Sequence, residues 1–409
     1  MNATGTASPR IAIAGAGIGG LCTALALLQR GFAVDVYEQA SQLGEVGAGL
    51  QLSPNGTRVL RALGLEAALA PLVCEAARKE VRHYASGRRW KLFDLGADCR
   101  ARFGAPYWMV HRGDLHRVLL DAVRAAAPRA IRLHARVVRA QTQNTGVRIT
   151  LADGTLQYAD ALIACDGVHS ALRQQLLGED RARFTGLLAW RGLVPMQALP
   201  AHLRMAPGEA VGTNWVGPGA HVITYPLRGG ALMNVVGIVE RSDWQGESWT
   251  QAGSADELLR DFAGWHDDVQ TLMRAIAQPF KWALLGRTPR TGWAQGRVCL
   301  LGDAAHPTLP FLAQGANMAL EDAAAMAQCL APSLQQPAGL AEALQRFEAL
   351  RWQRTADIVN RSADNAARFH NPRLADLAFA EAYIDSEWDS EKVRTRYDWL
   401  FEHDALAIA

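Results

Sequence analysis

Three short clusters along this 409-residue chain hold residue types suited to gripping a phosphorylated organic cofactor. In Gly15-Ala-Gly17-Ile-Gly-Gly20 the first glycine permits a tight turn, the second lets backbone approach a pyrophosphate, and the third lets a helix pack closely on a strand. A helix starting there would aim amides and its positive dipole end at the phosphates. Glu38 lies 18 residues beyond Gly20, where a carboxylate can accept hydrogen bonds from ribose hydroxyls. This cluster alone fits NAD as well as FAD. The second cluster, Gly302-Asp303-Ala-Ala-His306-Pro307, ends an apolar run, the strand end at which such folds bind ligands. Asp303 there can hydrogen-bond flavin ribityl hydroxyls or simply cap the next segment. The third, Gln314-Gly315-Ala316-Asn317, opens an apolar helix whose backbone amides could stabilise charge on a reduced flavin ring; the Gln314 and Asn317 side chains also fit ordinary caps.

The elements that must position these residues follow from periodicity. Arg10 to Ala14 and Phe32 to Tyr37 are short apolar strands, with a helical pattern over Leu21 to Arg30 between them that Gly31 stops. Ala159 to Ala164 and Arg297 to Leu301 repeat the buried-strand pattern, which splits one parallel sheet across the chain. Pro54 to Ala70 reads as helical, and Val110 to Ala127 contains an amphipathic helix. Arg132 to Thr155 reads as strands joined by Asn144-Thr-Gly146 and Asp153-Gly154 turns. From Phe184 to Glu240 the pattern is β-rich, with strands at Val211 to Val216, His221 to Leu227 and Ala231 to Glu240. A long helix covers Ala338 to His370, Pro372 ends it, and a tail with Trp388, Tyr397 and Trp399 packs back on the body.

Composition narrows the chemistry. A formal charge of +2 with 20% charged residues argues against a polyanion, so no nucleic-acid partner is expected. The start, Met1 to Arg10, lacks a signal-peptide apolar core, and no later run has membrane-span length, which predicts a cytoplasmic protein without a membrane partner. Six scattered cysteines and eleven histidines show no paired spacing or His-Glu-x-x-His pattern, so no metal is expected. Demanding redox chemistry must then come from an organic cofactor.

With a further motif, Cys165-Asp166-Gly167 followed by Ser170 and Arg173, the chain resembles the class A FAD-dependent aromatic hydroxylases. This is the group of p-hydroxybenzoate hydroxylase, salicylate hydroxylase, 3-hydroxybenzoate 6-hydroxylase and 6-hydroxynicotinate 3-monooxygenase. The resemblance covers almost the whole chain. It implies that Asp166-Gly167 serves both FAD and nicotinamide, that Asp303 touches FAD, that Pro307 lies where oxygen reacts, and that Arg112 contacts the cofactor. Asp166 also fits a strand-end turn, and Arg112 a partner of a surface helix cap. Gly217 to Leu227 looks like the matching strand of 3-hydroxybenzoate 6-hydroxylases, whose His and Tyr line the substrate pocket; here these are His221 and Tyr225, on one strand face. His221 could remove the substrate hydroxyl proton or be a satisfied structural histidine. Thr308-Leu309-Pro310-Phe311 departs from that subgroup towards salicylate and hydroxynicotinate hydroxylases, and Val46 to Gln51 resembles the family's flavin-side loop. Arg191 and Arg228 are candidates for the substrate carboxylate, or for surface or interdomain ion pairs.

The resulting expectation is an α/β protein like p-hydroxybenzoate hydroxylase: a doubly wound FAD-binding domain (1–180 and 291–370), an inserted β-sheet substrate domain (181–290) and a helical C-terminal segment (371–409). It would hold FAD tightly without a covalent bond, use NADH or NADPH as a transient co-substrate, and hydroxylate a small aromatic acid of salicylate or 3-hydroxybenzoate type with O2 through a flavin C4a-hydroperoxide. Hydroxylation of an N-heteroaromatic acid of 6-hydroxynicotinate type is the alternative, and a non-catalytic FAD-fold binding protein the alternative of a different class. Monomer and homodimer both fit.

Overall fold

The computed structural model describes residues 8–44, 48–180, 182–206, 208–242 and 251–407. Its first sheet has six strands, in the order Ala294–Gln295, Val298–Leu300, Ala161–Ala164, Arg10–Ala14, Ala33–Tyr37, Ile131–Arg132. All neighbours are parallel except the first pair. The central strands, Ile-Ala-Ile-Ala and Ala-Leu-Ile-Ala, are apolar without alternation because both faces are covered. The helix Ile18–Gln29 packs against Arg112–Ala126 and Gly315–Leu330. A three-stranded antiparallel sheet, Val137–Thr142, Val147–Leu151 and Leu156–Ala159, stands beside this layer.

The large sheet runs in the order Gln251–Ala252, Phe280–Gly286, Arg183–Pro195, Leu232–Glu240, Ala220–Leu227, Ala210–Gly217, Val73–His83, Trp108–His111, Gly49–Leu52, and Arg89–Asp94 pairs with Val73–His83 off this path. Val73–His83 pairs parallel with Ala210–Gly217, far away in sequence. Periodicity did not reveal this strand, because Val-Cys-Glu-Ala-Ala-Arg-Lys-Glu-Val-Arg-His carries charge on both faces. Buried Glu80 meets Arg78 and Arg82 on one side, and Lys79 points to the other.

The helical stretch expected over 54–70 is divided into Pro54–Ala62 and Glu66–Leu69. Gly64, at φ +77°, makes the break. The 30-residue helix Leu340–Phe369 crosses the molecule, and Leu377–Glu387 and Ser390–Glu402 follow it. Trp388, Tyr397 and Phe401 bury against the body, where Phe401 makes edge-on ring contacts with Phe93, Phe103 and Tyr107. Among the described residues no helix is long and apolar enough to cross a membrane, and no group of His, Cys, Asp or Glu side chains could hold a metal ion.

Candidate functional site

At the carboxyl end of Arg10–Ala14 the chain turns through Gly15 at φ +98°. A Cβ there would come within 2.5 Å of the Cys165 carbonyl oxygen, and one on Gly20 within 2.0 Å of the Gly15 carbonyl. These two glycines therefore serve close packing. A Cβ on Gly17 would meet nothing within 4 Å, so its backbone faces open space at the start of the helix. That is the division of labour a pyrophosphate requires. The Glu38 carboxylate is held by the N–H groups of Ala16 (2.7 Å) and Ala40 (2.8 Å). Glu38, Gly15, Gly17, Arg112, Asp166 and Gly167 line one groove. Arg112 opens its helix, is exposed, and donates its N–H to the Ala48 carbonyl (2.8 Å).

Asp166 follows the strand Ala161–Ala164. Burial raises its pKa against the lowering hydrogen bond from Ser170, and its Oδ1 has no hydrogen-bond partner. Ser170 Oγ caps the next helix by accepting from Arg173 N–H (2.8 Å). Arg173 then donates to the carbonyls of Ala304 (2.9 Å) and Ala305 (2.6 Å), joining the Asp166 segment to the Gly302–Pro307 turn.

In that turn Gly302 sits at φ +63°, and Asp303 opens onto the protein surface while nearby protein raises its carboxyl pKa by desolvation. Two residues that sequence reasoning passed over fix the turn from behind. Asp322 Oδ2 accepts from Gly302 N–H (3.1 Å) and lies 2.6 Å from His306 Nε2, and its Oδ1 accepts from Arg351 Nε (2.7 Å). Glu321 accepts from Arg351 (2.6 Å), Arg354 (2.6 Å) and Asn55 (2.6 Å). Burial pushes both carboxyls up, but the cations outweigh it and hold both below their ordinary values. The only hint in the sequence was two adjacent acids inside an apolar helix.

The side chains of Gln314 and Asn317 face inward. Gln314 Nε2 donates to Ser53 Oγ (2.9 Å) and its Oε1 accepts from Asn55 (3.0 Å). Asn317 donates to the carbonyls of Gln51 (3.1 Å) and Ala313 (2.7 Å), and accepts from Ser53 N–H (3.1 Å). Both side chains thus lock the helix start to the 51–55 segment, leaving the backbone of Gly315 and Ala316 to present amides. Pro307 is half-buried beside this turn.

On the large sheet, Tyr225 is cross-strand partner to Asn234, and continuing the register sets it opposite Gly212, itself paired with Lys79. Partners of this kind share a face, so Lys79, Gly212, Tyr225 and Asn234 form one row. A Cβ on Gly49 would lie 2.5 Å from Tyr225 and 2.8 Å from Asn234, so this row abuts the Gly49–Leu52 strand. Val46 and Gly47 lie outside the described residues. Burial raises the Tyr225 phenol pKa. His221, on the same face, is fully buried among Phe311, Phe369 and His370. Burial, then His370, pushes its pKa well down, so it is a neutral imidazole; its Nε2 has no partner.

Of the two arginines singled out in the sequence, Arg228 is committed to Asp114 (2.8 Å). Arg191 stacks on Trp282 (5.0 Å), with its pKa lowered by burial and by Arg112. Lys79, which sequence reasoning missed, sits over the Tyr107 ring (5.4 Å) with its pKa pushed down to about 8 by burial, and bonds no carboxylate among the described residues.

Residues 9–362 match the FAD binding domain family. The chain is 39% identical over 395 residues to a 3-amino-4-hydroxybenzoate 2-monooxygenase, PtnB3, of Streptomyces platensis, covering 95% of this chain and 97% of that one. It is 38% identical over 362 residues to a 6-hydroxynicotinate 3-monooxygenase of Pseudomonas fluorescens, covering 88% and 91%. A salicylate hydroxylase substrate complex superposes with a TM-score of 0.80 at 27% identity, covering 98% and 96%.

Proposed function

The chain belongs to the FAD binding domain family, and from that membership we propose that it is a single-component monooxygenase hydroxylating a small aromatic acid that carries a ring hydroxyl. One observation carries the assignment of its site. Among the described residues, the buried side-chain polar atoms without a partner are Asp166 Oδ1, His306 Nδ1, His221 Nε2 and Asn234 Nδ2. Each costs about 1–3 kcal/mol if left unsatisfied. The first two belong to the cofactor motifs and the other two to the sheet face behind Gly49. Packing alone gives no reason to leave polar atoms unpaired in these motifs; completion by cofactor and substrate does.

The donor set suits FAD. Gly17 leaves room for a pyrophosphate, Glu38 keeps lone pairs for ribose hydroxyls, Asp166 and Asp303 are acceptors for further hydroxyl or amide groups, and the helix start at Gly315-Ala316 offers amides to an anionic ring. Held by these residues, FAD would supply hydride acceptance from NADH or NADPH and the transfer of one oxygen atom of O2 to an aromatic ring. The protein's part is positioning, exclusion of water and proton control. The aromatic face around Phe311 and Tyr225 keeps the reacting ring dry. His221 Nε2, neutral and unpartnered, accepts the substrate hydroxyl proton, raising electron density on the ring. Lys79 provides the cation for the substrate carboxylate, supported by its place on the Tyr225 row and by the absence of a carboxylate partner among the described residues. In this reading residues 1–180 with 291–370 form the cofactor unit and lend the strands Gly49–Leu52, Val73–His83, Arg89–Asp94 and Trp108–His111 to the large sheet of the substrate unit, 181–290, with 371–409 as the tail.

Anaerobic reduction by NADH and by NADPH, followed through flavin absorbance with salicylate, 3-hydroxybenzoate, 6-hydroxynicotinate, 3-amino-4-hydroxybenzoate or no ligand, tests the reading. One acid should accelerate reduction and appear as a hydroxylated product on adding oxygen. A flavin that neither nicotinamide reduces refutes it.

A further inference from the structure

His221 has a continuation. Its Nδ1 lies 2.6 Å from His370 Nε2, and His370 Nδ1 lies 3.1 Å from Glu240 Oε1. The His370 side chain is 1% exposed, and that of Glu240 58%. Two atom pairs, linking three side chains, thus lead from the unpartnered Nε2, at the buried end, to a carboxylate in water. Backbone hydrogen bonds fix the spacing: Gly219 N–H donates to His370 C=O (3.1 Å), and Glu240 N–H donates to Gly219 C=O (2.9 Å). His370 ends the helix Leu340–Phe369, donating its N–H to Ala366 C=O (3.0 Å). These contacts use only main chain, so helix termination at residue 370 does not call for an imidazole.

With both rings neutral, one tautomer assignment gives every link a hydrogen and leaves the inner end able to accept one. His370 carries its proton on Nδ1 and donates to Glu240. His221 carries its proton on Nδ1 and donates to His370 Nε2, and His221 Nε2 is then a bare acceptor. Burial keeps both imidazoles from storing charge, because it lowers the pKa of each.

We propose that His221, His370 and Glu240 form a proton conduit between the substrate hydroxyl and the protein surface. This rests on the reading above, that a hydroxylated ring binds against His221. The substrate O–H bond breaks and its proton joins His221 Nε2. The His221 Nδ1 proton moves to His370 Nε2, the His370 Nδ1 proton moves to Glu240, and Glu240 gives a proton to water. The substrate is left as phenolate and one proton reaches solvent, with no change of oxidation state. The reverse sequence reprotonates the product.

The test uses oxidised holoenzyme without nicotinamide, so no turnover contributes. Binding of 3-hydroxybenzoate, salicylate, 6-hydroxynicotinate or 3-amino-4-hydroxybenzoate is read by perturbation of the flavin spectrum. The complex is then jumped from mildly acidic to alkaline pH, and the rate at which the ultraviolet band of the ionised ligand appears is recorded. In His370→Phe, ligand affinity should stay within threefold while ionisation slows at least tenfold. Glu240→Gln, a surface change without risk to the fold, should slow it severalfold, and free imidazole should restore part of the rate in His370→Ala. Ionisation as fast in both His370→Phe and Glu240→Gln as in the parent overturns the conduit and leaves the monooxygenase reading standing. If none of the acids binds the holoenzyme, that reading falls and the conduit with it.

Discussion

Replacing Arg351 with methionine removes one cation from behind the Gly302 turn while keeping most of the side-chain volume. Arg351 is fully buried, and it bonds Glu321 at 2.6 Å and Asp322 at 2.7 Å. Glu321 keeps Arg354 in the variant, whereas Asp322 keeps only the His306 ring and one backbone N–H. Leaving a buried charge short of its partner costs about 3–5 kcal/mol. With an unfolding entropy of roughly 2.1 cal/mol/K per residue, a chain of 409 residues loses about 3–6 °C of Tm for that cost. The sign of the pH effect follows from the carboxyls. In the parent both are held below their ordinary values, so they contribute stability above the unfolded carboxylate range, and it is lost as pH falls through the lower folded values. Arg351→Met removes the charge and the hydrogen bond of Arg351 that lower the Asp322 pKa while burial still opposes the carboxylate, so the folded value rises from that of the parent. That penalty is full at neutral pH and shrinks as pH falls through the raised value. Thermal unfolding followed by circular dichroism at neutral and mildly acidic pH should therefore show a gap between parent and variant that narrows in acid. Flavin retention through gel filtration should fall as well, since Asp322 holds Gly302. A gap below about 1 °C, or one of equal size at both pH values, would refute the electrostatic account.

Other substitutions probe the rest of the site. Asp303→Ala should lower FAD retention at unchanged secondary structure, measured as the flavin-to-protein absorbance ratio. His221→Ala should keep FAD but slow product formation by about 10²-fold or more; full hydroxylation activity removes His221 from the mechanism. Lys79→Met should raise KM for the aromatic acid at least tenfold with little change for an uncharged phenol. In the parent that affinity should weaken as pH rises through about 8, where the lysine loses its charge, and a flat profile there argues against its role. Gly20→Ala should yield protein unable to hold flavin, because the added methyl would overlap the Gly15 carbonyl at 2.0 Å.

The glycine turn, the Gly302 turn and the parallel strands around them were legible in the sequence because each is local: a few residues in fixed spacing on an apolar run. Tyr225 and His221 were singled out by the resemblance of their strand to that of 3-hydroxybenzoate 6-hydroxylases, and the two-residue repeat of a strand then put both on one face. What escaped was set by partners far along the chain. Val73–His83 hid as a strand because it carries charge on both faces, Glu80 with Arg78 and Arg82 on one and Lys79 on the other, so no apolar face alternates with a polar one. Lys79 becomes a candidate only once Gly212 and Tyr225 stand beside it. His370 lies 149 residues from His221, and Arg351 29 from Asp322, distances at which no periodicity couples two side chains.

The strand Val298–Leu300 and the Gly302 turn complete the first sheet from the far side of the large one, and this imposes an order on biosynthesis. At about 5–20 residues per second a ribosome needs roughly 15–60 s to reach residue 300. Until then Ala161–Ala164 has an open edge, and Asp303 and the Gly315-Ala316 helix start are missing from the site. Nascent chains and fragments stopped before that point would carry the glycine motif intact and still fail to capture flavin. Cofactor loading is thus a report that three-quarters of the polypeptide has been made and folded.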